Sequence, residues 1–158
     1  MPHYEPWNAG RAEAIIAQHR HQEGATLPIL HALQEVFGCV PSDAVPLIAE
    51  ALNLSRAEIH GTITFYHDFR KEPAGRRVLK LCRAESCQAA GGDALAARAE
   101  EKLGCAMGGT TADRRVTLEP VYCLGLCHSS PAAMLDHDKV YGMLDEQKLD
   151  ALLKEAQA

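Results

Sequence analysis

In the first half of the chain, apolar residues recur at the three- and four-residue spacing of amphipathic helices. The clearest of these segments begins at Thr26, has Pro28 in its first turn and is predicted to end at Gly38. Its apolar face is formed by Ile29, Leu30, Leu33, Val36 and Phe37. Such a face has to be buried against other elements, so neighbouring helices are expected.

Two further helices are predicted on either side of this one. Asn8 is expected to cap a first helix, which carries Ile15 and Ile16 and ends at Gly24. Ser42 precedes a third helix, whose inward-facing residues are Val45, Leu47, Ile48 and Leu52.

The segment 59–66 has two conflicting signals. Its sequence, IHGTITFY, is rich in β-branched and aromatic residues, which favour a strand. It follows Ser55 and Glu58, however, which have the spacing of a capping box at the start of a helix. We predict a helix here, and the four helices together predict a small helical bundle.

A break in the pattern follows at 71–75, where the sequence KEPAG combines charge, proline and glycine. We therefore expect a domain boundary at this point. Residues 1–75 are predicted to form the N-terminal helical bundle, and residues 76–158 a second domain.

The second half alternates strand and helix signals. A short strand at 78–81 leads into Cys82, and a second at 116–121 leads into Cys123. The other predicted elements are an alanine-rich helix from about Gly92 to Leu103, a hairpin formed by 133–136 and 139–143 around His137 and Asp138, and a closing helix from Glu146 to Glu155. This β-α-β-β-α order suits a thioredoxin-like layer of sheet and helices, so the fold class is α+β.

Four of the six cysteines stand in two close pairs, Cys82 with Cys87 and Cys123 with Cys127, each pair following a predicted strand. Thiolates are soft ligands, and four of them can hold zinc, a binuclear cluster or a cubane. A cubane is often bound by several cysteines in one tight run, which this sequence lacks. Two pairs on two loops can give each iron of a [2Fe-2S] cluster two sulfur ligands.

Other uses of the cysteines compete with this one. The gaps of four and three residues fall inside the range of zinc sites, so a zinc-stabilised structural adaptor stays open as an alternative. A redox-active dithiol would need two cysteines separated by two residues, and no such pair occurs. Cys39 and Cys105 stand alone and are expected to be buried as small apolar residues. His128 is not expected to be a ligand, because a Rieske-type centre requires two histidines.

Composition limits the remaining functions. The 158 residues are 47% apolar, enough for a folded core, and no apolar run approaches the roughly 20 residues of a membrane span. With no secretion signal visible at the N-terminus, we expect a soluble cytoplasmic protein whose thiols stay reduced.

Charge and motifs exclude further classes. A net charge of −5 without a basic patch, together with three Phe, four Tyr and one Trp, argues against nucleic-acid binding. No nucleotide-binding glycine motif or nucleophile elbow is present. The chain by itself is therefore expected to bind no nucleotide and to catalyse no bond making; its expected role is to carry electrons.

Several of these segments resemble one family along nearly the whole chain, from about Ala12 to Leu153. The resemblance is to the thioredoxin-like [2Fe-2S] subunit of NADH dehydrogenases, the 24-kilodalton subunit of respiratory complex I and its relatives. The segments that carry it are Leu30 to Gly38, Ile48-Ala49-Glu50-Ala51-Leu52, Thr64-Phe65-Tyr66, the pair Cys82 and Cys87, and Cys123-Leu124-Gly125-Leu126-Cys127.

Within that family the closest resemblance is to the gamma subunit of soluble, molybdenum-containing, NAD-dependent formate dehydrogenases. It rests on Phe65-Tyr66-His67-Asp68-Phe69-Arg70 and on the segment from Ser130 to Asp136. Complex I relatives usually have Ala-Pro in place of Ser130-Pro131 and asparagine in place of Asp136. NAD-reducing hydrogenases contain a related subunit.

The resemblance implies a non-catalytic electron-transfer subunit in which Cys82, Cys87, Cys123 and Cys127 bind one [2Fe-2S] cluster. It also implies partners: a flavoprotein beta subunit with FMN, an NAD site and a further iron-sulfur cluster, and a large alpha subunit with the molybdenum cofactor. The complex would convert formate and NAD⁺ to CO₂ and NADH. The corresponding subunit of NADH-quinone oxidoreductase or of an NAD-reducing hydrogenase is the alternative.

Overall fold

A computed structural model describes residues 4–158 of the chain. The chain divides into two compact units, Met1–Pro73 and Ala74–Ala158, each with its own hydrophobic core. Within the described residues, no helix has both the length and the apolar character that a membrane crossing requires.

The described part of the first unit, residues 4–73, contains four helices in succession: α1 (Ala9–His19), α2 (Thr26–Phe37), α3 (Ala44–Leu52) and α4 (Arg56–Phe65). Its core is built from the apolar faces of these helices, and Ile29, Leu30, Leu33, Ile48 and Ile59 are fully buried there. The predicted bundle of four helices is therefore confirmed.

At several helix ends, the structure contains the capping or terminating residue that the sequence predicted. The side chain of Asn8 accepts a hydrogen bond from the Arg11 N–H at the start of α1, and Gly38 ends α2 with a left-handed φ of 77°. Ser55 and Glu58 form both hydrogen bonds of the capping box, so the ambiguous segment is indeed the helix α4.

One predicted helix end was wrong. The helix α1 ends at His19, and residues 20–24 form turns, so Gly24 lies beyond the helix. The helix α3 begins at Ala44 with Asp43 at its cap position, so Ser42 precedes it, as predicted.

The second unit is a four-stranded sheet with three helices. Its elements are β1 (Arg77–Cys82), α5 (Glu85–Ala89), α6 (Gly92–Leu103), β2 (Val116–Val121), β3 (Ala133–Leu135), β4 (Lys139–Tyr141) and α7 (Glu146–Gln157). The strand order is β2-β1-β3-β4; β1 and β2 are parallel, and the other neighbours are antiparallel.

This sheet confirms the predicted fold class and the predicted hairpin, in which β3 pairs with β4 around His137 and Asp138. The short helix α5 was not predicted. The core of the unit is formed by β1, β2 and β3 with the apolar faces of α6 and α7, and Leu79, Leu118 and Leu149 are fully buried in it.

The sheet topology determines where the cysteines lie. Because β1 and β2 are adjacent and parallel, their carboxyl ends meet at one edge of the sheet, with Cys82 paired to Val121. Cys82 is the last residue of β1, and Cys123 lies two residues beyond the end of β2. The two ligand segments predicted from the sequence, 82–87 and 123–127, therefore start at the same edge of the sheet.

Candidate metal centre

The four paired cysteines fall into an inner and an outer pair. Cys82 and Cys87 are buried, with 4% and 2% of their surface exposed, whereas Cys123 and Cys127 are exposed. Cys82 ends β1 and Cys87 lies in α5, so the inner pair is carried by regular structure. The outer pair lies in the loop after β2.

The sulfurs of each pair are in contact. The Cys123 and Cys127 Sγ atoms are 3.7 Å apart, and the Cys87 thiol forms a hydrogen bond with the Cys82 sulfur. Within residues 4–158, no three Cys, His, Asp or Glu side chains converge on the position of a single ion. The thiols are thus grouped two by two.

An apolar surface lies beneath the thiols. Cys82 and Cys87 pack with the buried Ala132. Four partly buried side chains pack against these three residues: Ala84, Val121, Leu124 and Leu126. A cluster bound here would be shielded from water on its inner side and accessible on its outer side.

Backbone amides point at two of the sulfurs. The N–H groups of Ala84, Cys123 and Leu124 donate to the Cys82 sulfur, and the Gly125 N–H donates to Cys123 Sγ at 3.3 Å. Burial alone would raise the pKa of the Cys82 thiol, but these amides and the Cys87 thiol together lower it below its usual value. The pocket therefore favours the thiolate at Cys82, the form that binds metals.

At Cys127, in the outer pair, the thiol form is favoured instead. The pKa of the Cys127 thiol is raised, first by its hydrogen bond to Cys123 and the negative charge of that neighbour, and then by burial. Two thiolates held at contact distance repel each other unless positive charge lies between them. A metal ion is the group that would supply that charge.

The backbone of the outer loop has an unusual conformation. Cys123 has φ 95° and Gly125 has φ 76°; the value at Cys123 is rare for any residue with a side chain. Strained φ values persist only where the surrounding structure imposes them, and they often accompany functional sites. At Cys123 this conformation accompanies a thiol that is turned toward solvent and toward Cys127.

Glycine is required on the other side of the site for a different reason. A side chain on Gly92, the first residue of α6, would place its Cβ 2.6 Å from the Cys87 carbonyl oxygen. The close approach of α6 to α5 therefore depends on the absence of a side chain at Gly92.

The other cysteines lie elsewhere. Cys39 is buried in the first unit, as predicted, and burial raises the pKa of its thiol, with a further contribution from Glu72. Cys105 follows α6 and is only half-buried, less than predicted; burial also raises its pKa, as does Glu100. His128 is exposed in the short 3-10 turn Cys127–Ser129.

The fold and the thiol arrangement define a class of protein. Soft thiolate donors in two contacting pairs, with amides directed at the sulfurs, fit the ligand set of a binuclear iron-sulfur cluster. The layered α+β unit that carries them has the thioredoxin-like order of elements.

Comparisons with known proteins agree with this class. A family model described as thioredoxin-like [2Fe-2S] ferredoxin matches residues 12–157, and the chain belongs to that family. The cofactor of this family is a [2Fe-2S] cluster, and ferredoxins are electron carriers.

Two curated relatives belong to the same kind of enzyme. The E subunit of NADH-quinone oxidoreductase from Pseudomonas aeruginosa is 37% identical over 114 residues, which cover 72% of this chain and 69% of the relative. A corresponding E-type subunit of NADH-quinone oxidoreductase from Rhizobium meliloti is 36% identical over 146 residues, which cover 92% of this chain and 86% of the relative.

A solved structure is also similar. It is the crystal structure of an NAD⁺-reducing [NiFe]-hydrogenase in the air-oxidized state, with a TM-score of 0.66 and 28% identity over 81% of this chain. This chain spans only 22% of the length of that hydrogenase chain, so the similarity concerns one part of it.

Proposed function

We propose that Cys82, Cys87, Cys123 and Cys127 bind one [2Fe-2S] cluster, with the inner pair on one iron and the outer pair on the other. The observation that carries this proposal is the grouping of the four thiols into two contacting pairs at one edge of the sheet. When bound, such a cluster accepts and gives up one electron.

The chain contributes binding, shielding and electrostatics. The end of β1 and the helix α5 hold the inner thiols in an apolar environment that excludes water. The amides that donate to Cys82 and Cys123 stabilise negative charge on sulfur, and that charge increases on reduction. The exposed outer pair leaves one side of the site open to an electron-transfer partner.

We further propose that residues 1–75 act as a helical domain and residues 76–158 as the cluster-binding domain. The division of the chain after Pro73 into two units with separate cores supports this boundary. All four ligands then belong to the second domain.

As its physiological role, we propose the electron-transfer subunit of a soluble, cytoplasmic, NAD-dependent formate dehydrogenase. The partners would be a flavoprotein beta subunit with FMN and an NAD site, and a large alpha subunit with the molybdenum cofactor. Support comes from the sequence of segments 65–70 and 130–136, which resemble the gamma subunits of those enzymes.

A second assignment is favoured by the comparisons. The curated relatives at 36 and 37% identity are subunits of NADH-quinone oxidoreductase, and the similar solved structure is an NAD⁺-reducing hydrogenase. A corresponding subunit in either kind of complex would use the same cluster and a flavoprotein partner of the same kind.

The cluster is tested by iron, zinc and acid-labile sulfide analysis of anaerobically purified protein, with an electron paramagnetic resonance spectrum after dithionite reduction. Two irons and two sulfides per chain with a binuclear-type spectrum are expected. One zinc and no sulfide would instead establish the zinc-stabilised adaptor.

The complex is tested by purifying the assembly through a tag on this chain from the native cell. We expect NAD⁺ reduction that depends on formate. Activity with H₂ in place of formate would identify a hydrogenase, and NADH oxidation that depends on a quinone would identify the complex I type.

A further inference from the structure

Three oxygen atoms form a compact network between the two ligand segments. The Ser86 hydroxyl on α5 donates to the Cys127 carbonyl at 3.1 Å, and the Ser130 hydroxyl donates to the same carbonyl at 2.9 Å. The two hydroxyl oxygens are 2.9 Å apart. This network connects the segment of Cys87 to the segment of Cys127.

The network also reaches a ligand sulfur. The Cys87 sulfur lies 3.5 Å from the Ser130 hydroxyl oxygen, within hydrogen-bonding distance in the metal-free chain. Cys87 is 2% exposed, so its sulfur depends on protein groups for hydrogen bonds. The residue after Ser130 is Pro131, whose nitrogen carries no hydrogen and cannot donate to the sulfur.

Metal binding would fix the direction of this hydrogen bond. A ligand sulfur has lost its proton and can only accept. Each serine has one hydroxyl hydrogen, so the two serines together supply two hydrogens for two acceptors, the Cys127 carbonyl and the Cys87 sulfur. Ser86 already reaches the carbonyl, which leaves the hydrogen of Ser130 free to rotate to the sulfur.

We propose that Ser130 is a positioning and tuning residue of the centre: its hydroxyl donates to the Cys87 sulfur in the cluster-bound protein, while Ser86 holds the Cys127 carbonyl. This inference rests on the proposed function, since it requires Cys87 to be a ligand.

The consequence is a higher reduction potential. A hydrogen bond to a ligand sulfur stabilises negative charge, and the reduced cluster carries one more electron than the oxidised cluster. The donor at Ser130 therefore favours the reduced form. Unlike the amides at Cys82 and Cys123, this donor can be removed by substituting one side chain.

The test is a redox titration of the full-length, cluster-loaded protein, followed by electron paramagnetic resonance, for wild type and Ser130→Ala. Iron and sulfide are measured on each sample. Ser130→Ala is expected to keep the cluster and to bind the electron about tenfold more weakly, a negative shift of about 59 mV for a one-electron couple.

Matched variants separate this effect from a general change in the loop. Ser130→Thr keeps a hydroxyl and is expected to retain the wild-type potential. Ser129→Ala removes a hydroxyl from the neighbouring residue, outside the network, and is also expected to retain it. In Ser86→Ala, the Ser130 hydrogen alone serves both the Cys127 carbonyl and the Cys87 sulfur. The reduction potential is therefore expected to shift in the negative direction, but less than in Ser130→Ala.

The outcomes are distinguishable. An unchanged potential in loaded Ser130→Ala, or an equal shift in Ser129→Ala, overturns the role of Ser130 and leaves the proposed function intact. If Ser130→Ala does not retain its cluster, the absence of any shift in loaded Ser86→Ala overturns the inference. Wild-type protein without iron and sulfide overturns the proposed function and this inference with it.

Discussion

Because Gly92 lies so close to Cys87, we expect that adding one methyl group at Gly92 will weaken the metal centre. In Gly92→Ala the new Cβ would lie 2.6 Å from the Cys87 carbonyl oxygen and 3.0 Å from its carbonyl carbon. To reach an ordinary contact of about 3.4 Å, α5 and the start of α6 must separate by about 0.8 Å. That displacement moves the backbone of a proposed ligand.

The expected cost follows from packing. Inserting a methyl group into a well-packed contact costs roughly 1–3 kcal/mol, and the better helix propensity of alanine returns up to about 1 kcal/mol. We therefore expect the free energy of unfolding of the metal-free protein to fall by about 1–2 kcal/mol, measured by urea denaturation. We also expect the cluster to bleach several-fold faster under a chelator.

The adjacent glycine provides the control. Gly91 has φ 90°, and a Cβ there would meet nothing within 4 Å. Gly91→Ala should therefore lose about 1–2 kcal/mol through backbone strain alone, without pushing on Cys87. Equal bleaching rates for the two variants would refute the argument that Gly92 acts by positioning Cys87.

Two further predictions concern the ligands and the packing of α6 on α7. Cys82→Ser and Cys127→Ser are expected to lose or destabilise the cluster, measured as iron and sulfide per chain, whereas Cys39→Ser keeps it. Asp150 accepts hydrogen bonds from Arg98 at 2.9 and 3.0 Å, and this pairing, with help from a neighbouring lysine, lowers its pKa. The ionised Asp150 therefore contributes its full stability above the unfolded pKa of about 4, and this contribution is lost as the pH falls from there toward the lower folded pKa. Asp150→Asn should reduce the stability of the protein at pH 7 and reduce it much less at about pH 2.

Specific results would contradict these two predictions. Equal iron content in all three cysteine variants would defeat the ligand assignment. A stability difference between wild type and Asp150→Asn that is as large in acid as at neutral pH would show that the carboxylate charge is not the cause.

The parts of the fold that the sequence predicted are those with local signals. The capping box at Ser55 and Glu58 decided the assignment of α4 against its strand-like composition, because both hydrogen bonds lie within one helical turn. The strand before each cysteine pair was also predicted from the sequence, and the structure brings the pairs to one edge of the sheet because β1 and β2 are parallel neighbours.

Other features of the fold and the site could not be predicted, because the spacing of residues along the sequence does not reveal them. The helix α5 has five residues, too few for an apolar period to appear. Ser86 and Ser130 are 44 positions apart, and only the folded chain brings their hydroxyls together. From the sequence, Gly91 and Gly92 look like a flexible pair, but in the structure the first provides a left-handed turn and the second a close approach of backbones.

The unequal exposure of the two thiol pairs has a practical consequence for metal-free protein. Cys123 and Cys127 have sulfurs 3.7 Å apart at the surface, within easy reach of dissolved oxygen, and need to approach to about 2.05 Å to form a disulfide. Cys82 and Cys87 are protected by burial. Protein handled in air before its cluster is inserted is therefore expected to lose its outer ligands first, by giving two electrons and two protons to the oxidant. It should regain the capacity for assembly only after a reductant has reopened that pair.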